Sequence, residues 1–297
     1  MKRREFLKSS AGLAAGFAFR PLGWAAEPGR PELVGVMGGE PGPMFDRGMA
    51  ALGGIKAFVK PNQTVTVKPN IGWDKEPDMA ANTHPGLVKQ IVAQCRHAGA
   101  KKVYIFDHTC DSPKQCYVSS GIRDAVKDAG GTMVPGNAKA SYGQIEIPKG
   151  KILTRARAHE LFVESDVFIN VPVLKSHSST RLTIGMKNLM GVVWNRGWWH
   201  FSGLHQCIAD FSTFRKPDLT IVDAYRVLKV NGPRGVSPDD TVLMKSLIIS
   251  TDPVAADAAG SKMFGIDPGE ISYIRRAHDM GIGTMDLSGL NIQRIRV

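Results

Sequence analysis

The chain has 297 residues, 43% of them hydrophobic, enough to bury the core of one large domain or two small ones. Lys and Arg number 38 against 27 Asp and Glu, a net charge of +11, yet no basic–aromatic repeat of the nucleic-acid-binding kind is present. The four cysteines, Cys95, Cys110, Cys116 and Cys207, form no Cys-x-x-Cys pair and no iron–sulfur run.

The N-terminus runs Arg3-Arg4 into Phe6, Leu7 and Lys8, then a short, weakly apolar stretch, then the small residues Ala25 and Ala26. This pattern resembles a twin-arginine export signal over residues 1–26, and it is too short for an ordinary membrane span. It predicts engagement of the twin-arginine translocation machinery, a periplasmic or extracellular location, and no stable transmembrane segment after processing. The segment carries a net +4, so residues 27–297 retain +7 and suit anionic partners.

Residues 27–297 read as a single α/β domain. A Gly/Pro-rich stretch reaches Pro43, and strands and helices alternate after it. Residues 64–68 (TVTVK) form a β-branched strand. Residues 84–98 place Leu87, Ile91 and Cys95 at helical spacing, between Thr83 as cap and Gly99 as stop. Residues 103–107 (VYIFD) are a second strand, 115–129 a helix, and 132–135 a short third strand. The apolar run 167–174 reads as a strand covered on both faces. Strands at 219–223 and 247–250, helices from Asp252-Pro253 to Gly265 and over 272–280, and a closing strand at 290–297 complete the pattern. The alternation predicts a mostly parallel sheet with helices on both faces, a three-layer α/β/α architecture.

Ligands of open parallel sheets gather beyond the carboxyl ends of the strands. Five strands here exit into polar residues: Lys68 and Asn70; Asp107 and His108; Lys175 and His177; Asp223; and Thr251 with Asp252. Lys175 and Lys187 are candidate bases or anion holders and His177 a candidate proton carrier, the three catalytic candidates. Lys68, Asn70, Arg181 and Asn188 are candidate contacts for a small carboxylate or phosphate. Asp107, Asp223, Asp252 and Asp257 are candidate ligands for a divalent metal, although their spacing is not a metal motif. Each has a plainer role too. Asp107 and Asp223 suit turn caps, Asp252 before Pro253 suits an N-cap, and His84 suits a helix start. Asp257, among alanines, lies on a wet face or beside a cation. Trp194, Trp198, Trp199, His200 and His205 are core residues, a lid over the site, or a docking surface over 194–201. Cys110 and Cys116 are buried free thiols or a disulfide, and their spacing is unlike a dithiol redox motif.

Four stretches, THPGLVKQIVAQCRHAGAKKVYIFD, VPVLKSHSSTRLTIGMKNLMGVV, NGPRG and TDPVAADAAGSKMFGIDP, together resemble the domain-of-unknown-function 362 family over about residues 60–285. The resemblance implies motif positions at Lys68, Asn70, His84, Asp107, Lys175, His177, Lys187, Asn188, Asp223, Asp252 and Asp257, and no assigned reaction. Some family members carry a ferredoxin-like module. This chain lacks its cysteines, so no iron–sulfur cluster is expected. Two functions fit: an exported enzyme acting on a small anion, metal-assisted or not, and a periplasmic binding or accessory protein of an exported redox complex.

Overall fold

β-Branched and aliphatic runs build a ten-stranded sheet in the computed structural model, which describes residues 29–297. In chain order the elements are β1 (Leu33–Met37), α1 (Pro41–Ala51), β2 (Thr64–Pro69), α2 (Pro85–His97), β3 (Lys102–Ile105), α3 (Pro113–Ser119), α4 (Ile122–Asp128) and β4 (Thr132–Met133). There follow β5 (Tyr142–Glu146), β6 (Arg155–His159), α5 (Glu160–Glu164), β7 (Val167–Val171), β8 (Val173–His177), β9 (Arg181–Thr183) and α6 (Gly185–Asn188). The chain closes with α7 (Trp199–Ser202), α8 (Leu204–Ser212), β10 (Leu219–Leu228), β11 (Thr241–Ser250), α9 (Pro253–Phe264), α10 (Ser272–Asp279) and β12 (Ile292–Arg296).

The main sheet runs β12-β1-β11-β10-β7-β2-β3-β4, with β8 added beside β10 and β9 beside β8. Pairings across β10, β7, β2, β3 and β4 are parallel, whereas β11 is antiparallel to both β10 and β1. Side chains alternate across the sheet and feed two cores. Val65, Val67, Ile169 and Ile221 join Met44 and Phe45 of α1 and Leu87 and Ile91 of α2. Phe168, Val222 and Ile248 join Val254 and Ala258 of α9 and Ile274 of α10. The architecture is α/β with a mixed, mostly parallel sheet and helices on both faces.

Several expected elements change. β1 and α1 occupy the stretch read as Gly/Pro-rich, because Pro41 opens a helix at its first turn, where a missing N–H costs nothing. The 115–129 helix breaks into α3 and α4 at Gly121, whose φ of +70° leaves the helical region. The 167–174 run splits at Pro172 into β7 and β8, so Lys175 and His177 lie within β8. The β5–β6 hairpin forms a separate two-stranded sheet that no periodicity signalled.

Two corrections bear on the site. Asp223 does not end its strand, since β10 continues to Leu228. Its buried carboxylate accepts the backbone N–H of His84 and of Tyr225 at 2.7 and 3.0 Å. Asp252 follows a strand that runs the other way. Ser250 pairs with Thr220 near the start of β10, which sends the chain toward the opposite edge of the sheet. Asp252 caps α9 through the N–H groups of Val254 and Ala255 at 2.8 and 3.0 Å, and its second oxygen accepts Thr284 N–H at 2.9 Å. Asp252→Ala is therefore expected to cost about 1–2 kcal/mol in chemical denaturation. The same variant should leave small-anion binding unchanged in calorimetry.

Candidate functional site

The site grows from one register. Lys68 pairs with Asn170, Asn170 with Thr220, and Thr220 with Ser250, a polar row across four strands. Period-two alternation puts Lys68 opposite the Val65/Val67 face, so its long side chain passes beneath α6. Lys68 is 0% exposed. Its ammonium contacts Asp107 Oδ1 at 2.9 Å, Asn188 Oδ1 at 2.8 Å and Pro69 O at 2.9 Å, using its full donor capacity. Burial pulls the amine below its usual range, and the Asp107 carboxylate opposes that pull. Asp107 Oδ2 accepts Ile71 N–H at 2.7 Å. Gly191 lies against this pair. A Cβ there would sit 1.9 Å from Asp107 Oδ1 and 2.6 Å from Lys68 Nζ, so only glycine allows the approach.

Asparagines extend the network. Asn188 Nδ2 donates to Asn170 Oδ1 at 2.9 Å, and Asn70 Nδ2 donates to Asn188 Oδ1 at 3.0 Å. Asn70 Oδ1 accepts Lys175 Nζ at 2.9 Å, and Lys175 also donates to Ala81 O. Lys175 is 1% exposed, with no carboxylate in contact, and burial lowers its amine to about 7. Among the described residues Lys187 Nζ has its one hydrogen bond to Met190 Sδ, at 3.1 Å, and burial together with the Arg196 charge lowers it to about 8. His177 accepts Ser179 N–H on Nδ1 at 3.0 Å. Burial and the charges of Lys187 and Lys175 push its imidazole down to about 3, so it is neutral at physiological pH.

These groups line a cavity of about 250 Å³ with Trp73, His108, Cys110, Thr183, Arg196, His200 and Pro233. Lys68, Asn70, Asp107, Lys175, His177, Lys187 and Asn188 therefore meet. Arg181, Asp223, Asp252 and Asp257 do not line it. Arg181 lies on the surface, 2.8 Å from Glu270, because its φ of +62° turns the chain at the start of β9. Asp257 is 0% exposed, and its oxygens accept Gly185 N–H and Met186 N–H at 2.6 and 3.0 Å. It lies neither on a wet face nor beside a cation, and burial raises its carboxyl to about 7. The four aspartates expected to bind a metal thus do not converge: all four accept backbone amides, and Asp107 alone lines the cavity. Among the described residues no group of three or more His, Cys, Asp or Glu is placed to hold a metal ion.

Arg196 had no sequence signal beyond its place in an aromatic run. Its guanidinium reaches the site by donating to Thr109 O at 3.0 Å and Cys110 Sγ at 3.4 Å. His108 is placed by Val193 O at 3.1 Å and by stacking on Trp194, with ring centroids 5.0 Å apart. The aromatic cluster divides: Trp199 is core, Trp194 backs His108, and Trp198 and Phe201 are 51% and 92% exposed. Cys110 and Cys116 are free thiols, exposed and buried respectively, with no disulfide between them. The expected export signal lies outside the described residues. Among the described residues no helix is long and apolar enough to cross a membrane.

The chain belongs to the family described as Domain of unknown function (DUF362), whose profile matches residues 65–262. Thylakoid-associated protein sll1697 of Synechocystis sp. is 27% identical over 245 residues, 78% of this chain and 72% of the relative. Among solved structures, the lactate racemase apoprotein of Thermoanaerobacterium thermosaccharolyticum is similar with a TM-score of 0.48 at 12% identity. The alignment covers 80% of this chain but only 58% of the racemase. A Thermotoga maritima protein is similar with a TM-score of 0.46 at 10% identity, over 82% of this chain and 60% of its own.

The Lys68–Asp107 pair yields a stability test. Lys68→Met strands a buried carboxylate and is expected to cost roughly 3–5 kcal/mol in urea unfolding. Lys68→Met with Asp107→Leu should cost clearly less than the sum of the two single changes. Additive losses would show that the two groups do not depend on each other.

Proposed function

We propose that this DUF362 protein is an exported enzyme that binds a small oxyanion in the cavity and uses Lys175 as its base. One observation carries this: Lys68, Lys175, Lys187 and Arg196 face the cavity with a single carboxylate, Asp107, already paired with Lys68. Lys175, Lys187 and Arg196 are left with neutral partners or none. An anion entering there satisfies charges the protein leaves unbalanced.

Burial lowers both uncompensated lysines, and their different partners suit them to different work. Near neutral pH a substantial share of Lys175 is the free amine. That amine spends both N–H groups on Asn70 Oδ1 and Ala81 O, leaving its lone pair unspent on the remaining tetrahedral position. Lys187 stays mostly ammonium and, with Arg196, holds the anion. In a turnover the substrate's proton passes to Lys175 Nζ. The electron pair it leaves behind is stabilised by the two neighbouring cations. His177, neutral throughout, contributes a hydrogen bond rather than a charge. The resemblance of residues 1–26 to a twin-arginine export signal supports a periplasmic or extracellular setting.

The exposed Trp198 and Phe201 beside cavity residues Arg196 and His200 favour a second reading, an accessory protein that docks a partner on this face. Purification from the native host separates the two. A stoichiometric partner lost in Phe201→Ala supports docking, and turnover of a small anion by the isolated chain supports the enzyme.

Sulfate tests the anion site because its own charge is constant from pH 6 to 9. Affinity measured by calorimetry should fall as pH rises through about 7 and 8, as Lys175 and Lys187 lose their protons. Lys187→Ala should weaken sulfate, phosphate and short carboxylates by roughly tenfold or more, with unchanged circular dichroism. Affinity for every one of these anions that ignores the substitution would end the proposal.

A further inference from the structure

Asp257 is an ionisable group with, among the described residues, no cation beside it and no place in the cavity, yet it is 0% exposed. Its surroundings explain the expense. It sits in α9 between Ala255, Ala256 and Ala258, whose small side chains let α6 lie close. Asp257 Oδ1 and Oδ2 take the first two amides of α6, Gly185 and Met186, at 2.6 and 3.0 Å. The residue before α6, Ile184, supplies no side-chain cap. Gly185 makes the contact possible, because a Cβ there would approach Asp257 Oδ1 to 2.7 Å and Thr220 Cγ2 to 3.1 Å. From below, Asn170 Nδ2 donates to Gly185 O at 2.9 Å.

The remaining residues of this single turn are Lys187 and Asn188. Asn188 is tied to the sheet by its own side chain, through Lys68, Asn70 and Asn170. Lys187 is not: its ammonium meets only a thioether sulfur. The position of Lys187 therefore depends on where the backbone of α6 is held, and Asp257 and Asn170 hold it. The groups around Asp257 carry no compensating charge: Asp252 on its own helix raises its proton affinity further, and Tyr273 of α10 is neutral. A buried carboxylate retained under those conditions is a costly way to cap one turn.

We propose that Asp257 is a positioning residue: through the Gly185 and Met186 amides it sets where Lys187 stands in the cavity. The consequence for anion affinity rests on the function proposed above, whereas the effect on Lys187 does not.

The Lys187 amine reports the geometry directly. Lysines are dimethylated with carbon-13 and titrated by NMR, and the Lys187 signal is assigned by its loss in Lys187→Arg. In the wild type this amine should titrate near 8. In Asp257→Asn, which presents an N–H to one of the two amides, Lys187 should shift up toward its ordinary 10.5 as α6 loosens and water reaches it. Gly185→Ala, which crowds the same contact from the other side, should shift it the same way and serves if the first variant does not fold. Asp252→Asn, which caps a different helix, should leave it in place. A Lys187 amine that stays near 8 in folded Asp257→Asn or Gly185→Ala overturns the inference, whatever happens to thermal stability. Sulfate titration of the same proteins tests the function separately. Affinity should drop roughly tenfold in Asp257→Asn, and the fall with pH near 8 should disappear. A wild type that binds no sulfate, beside a shifted Lys187, refutes the anion site and leaves the positioning role standing.

Discussion

A lysine buried completely beneath a β-sheet's end is the constraint on which this site depends. Lys68 cannot stay charged there without partners for its three protons, and the chain supplies Asp107, Asn188 and Pro69 O. Bringing Asn188 to it requires α6 to lie flat on the polar row of the sheet. Bringing the 189–193 segment past it requires Gly191, because any side chain there would collide with the ion pair. Asp257 and Asn170 fix α6 from its two sides, and Lys187 follows. The cavity is what remains between these pieces and the Asn70–Lys175 arm.

The same network separates charge that is spent from charge that is available. Lys68 and Asp107 neutralise each other and act as a foundation. Lys175 rests on two carbonyl-type oxygens, which accept its protons without balancing its charge. Among the described residues Lys187 and Arg196 have no carboxylate in contact. Desolvation then lowers both lysines, to about 7 and about 8, which suits the base and anion-holding roles proposed for them. Proximity of like charges and burial of amines are usually costs, and the proposed function turns their combination to use.

Much of the fold and part of the site were legible in the sequence. Short β-branched runs gave the central strands, and helical spacing at Leu87, Ile91 and Cys95 gave α2. Lys68 and Asn70 at the end of β2 and Lys175 in β8 come together because these strands run parallel to their neighbours, as the alternation pattern implies, whereas Lys187 and Asn188 arrive on α6 after the antiparallel β9, which it does not. Strand direction was not legible. β11 carries the same apolar composition as its neighbours but runs antiparallel, so Asp252 was assigned to the wrong edge. Strand length misled at Asp223, because β10 continues past it through a bulge to Leu228. Asp257 was noticed as an oddity among alanines, but its partners are backbone amides 71 and 72 residues away, which no local pattern announces. Arg196 arrives through contacts to the 109–110 loop, again a tertiary fact.

Anomalous diffraction from crystals grown with selenate, an oxyanion of sulfate's shape, tests the central claim most directly. An anomalous peak within hydrogen-bonding distance of Lys187 Nζ and the Arg196 guanidinium is the expected result. Selenate ordered elsewhere on the molecule, with this cavity holding only water, would contradict it.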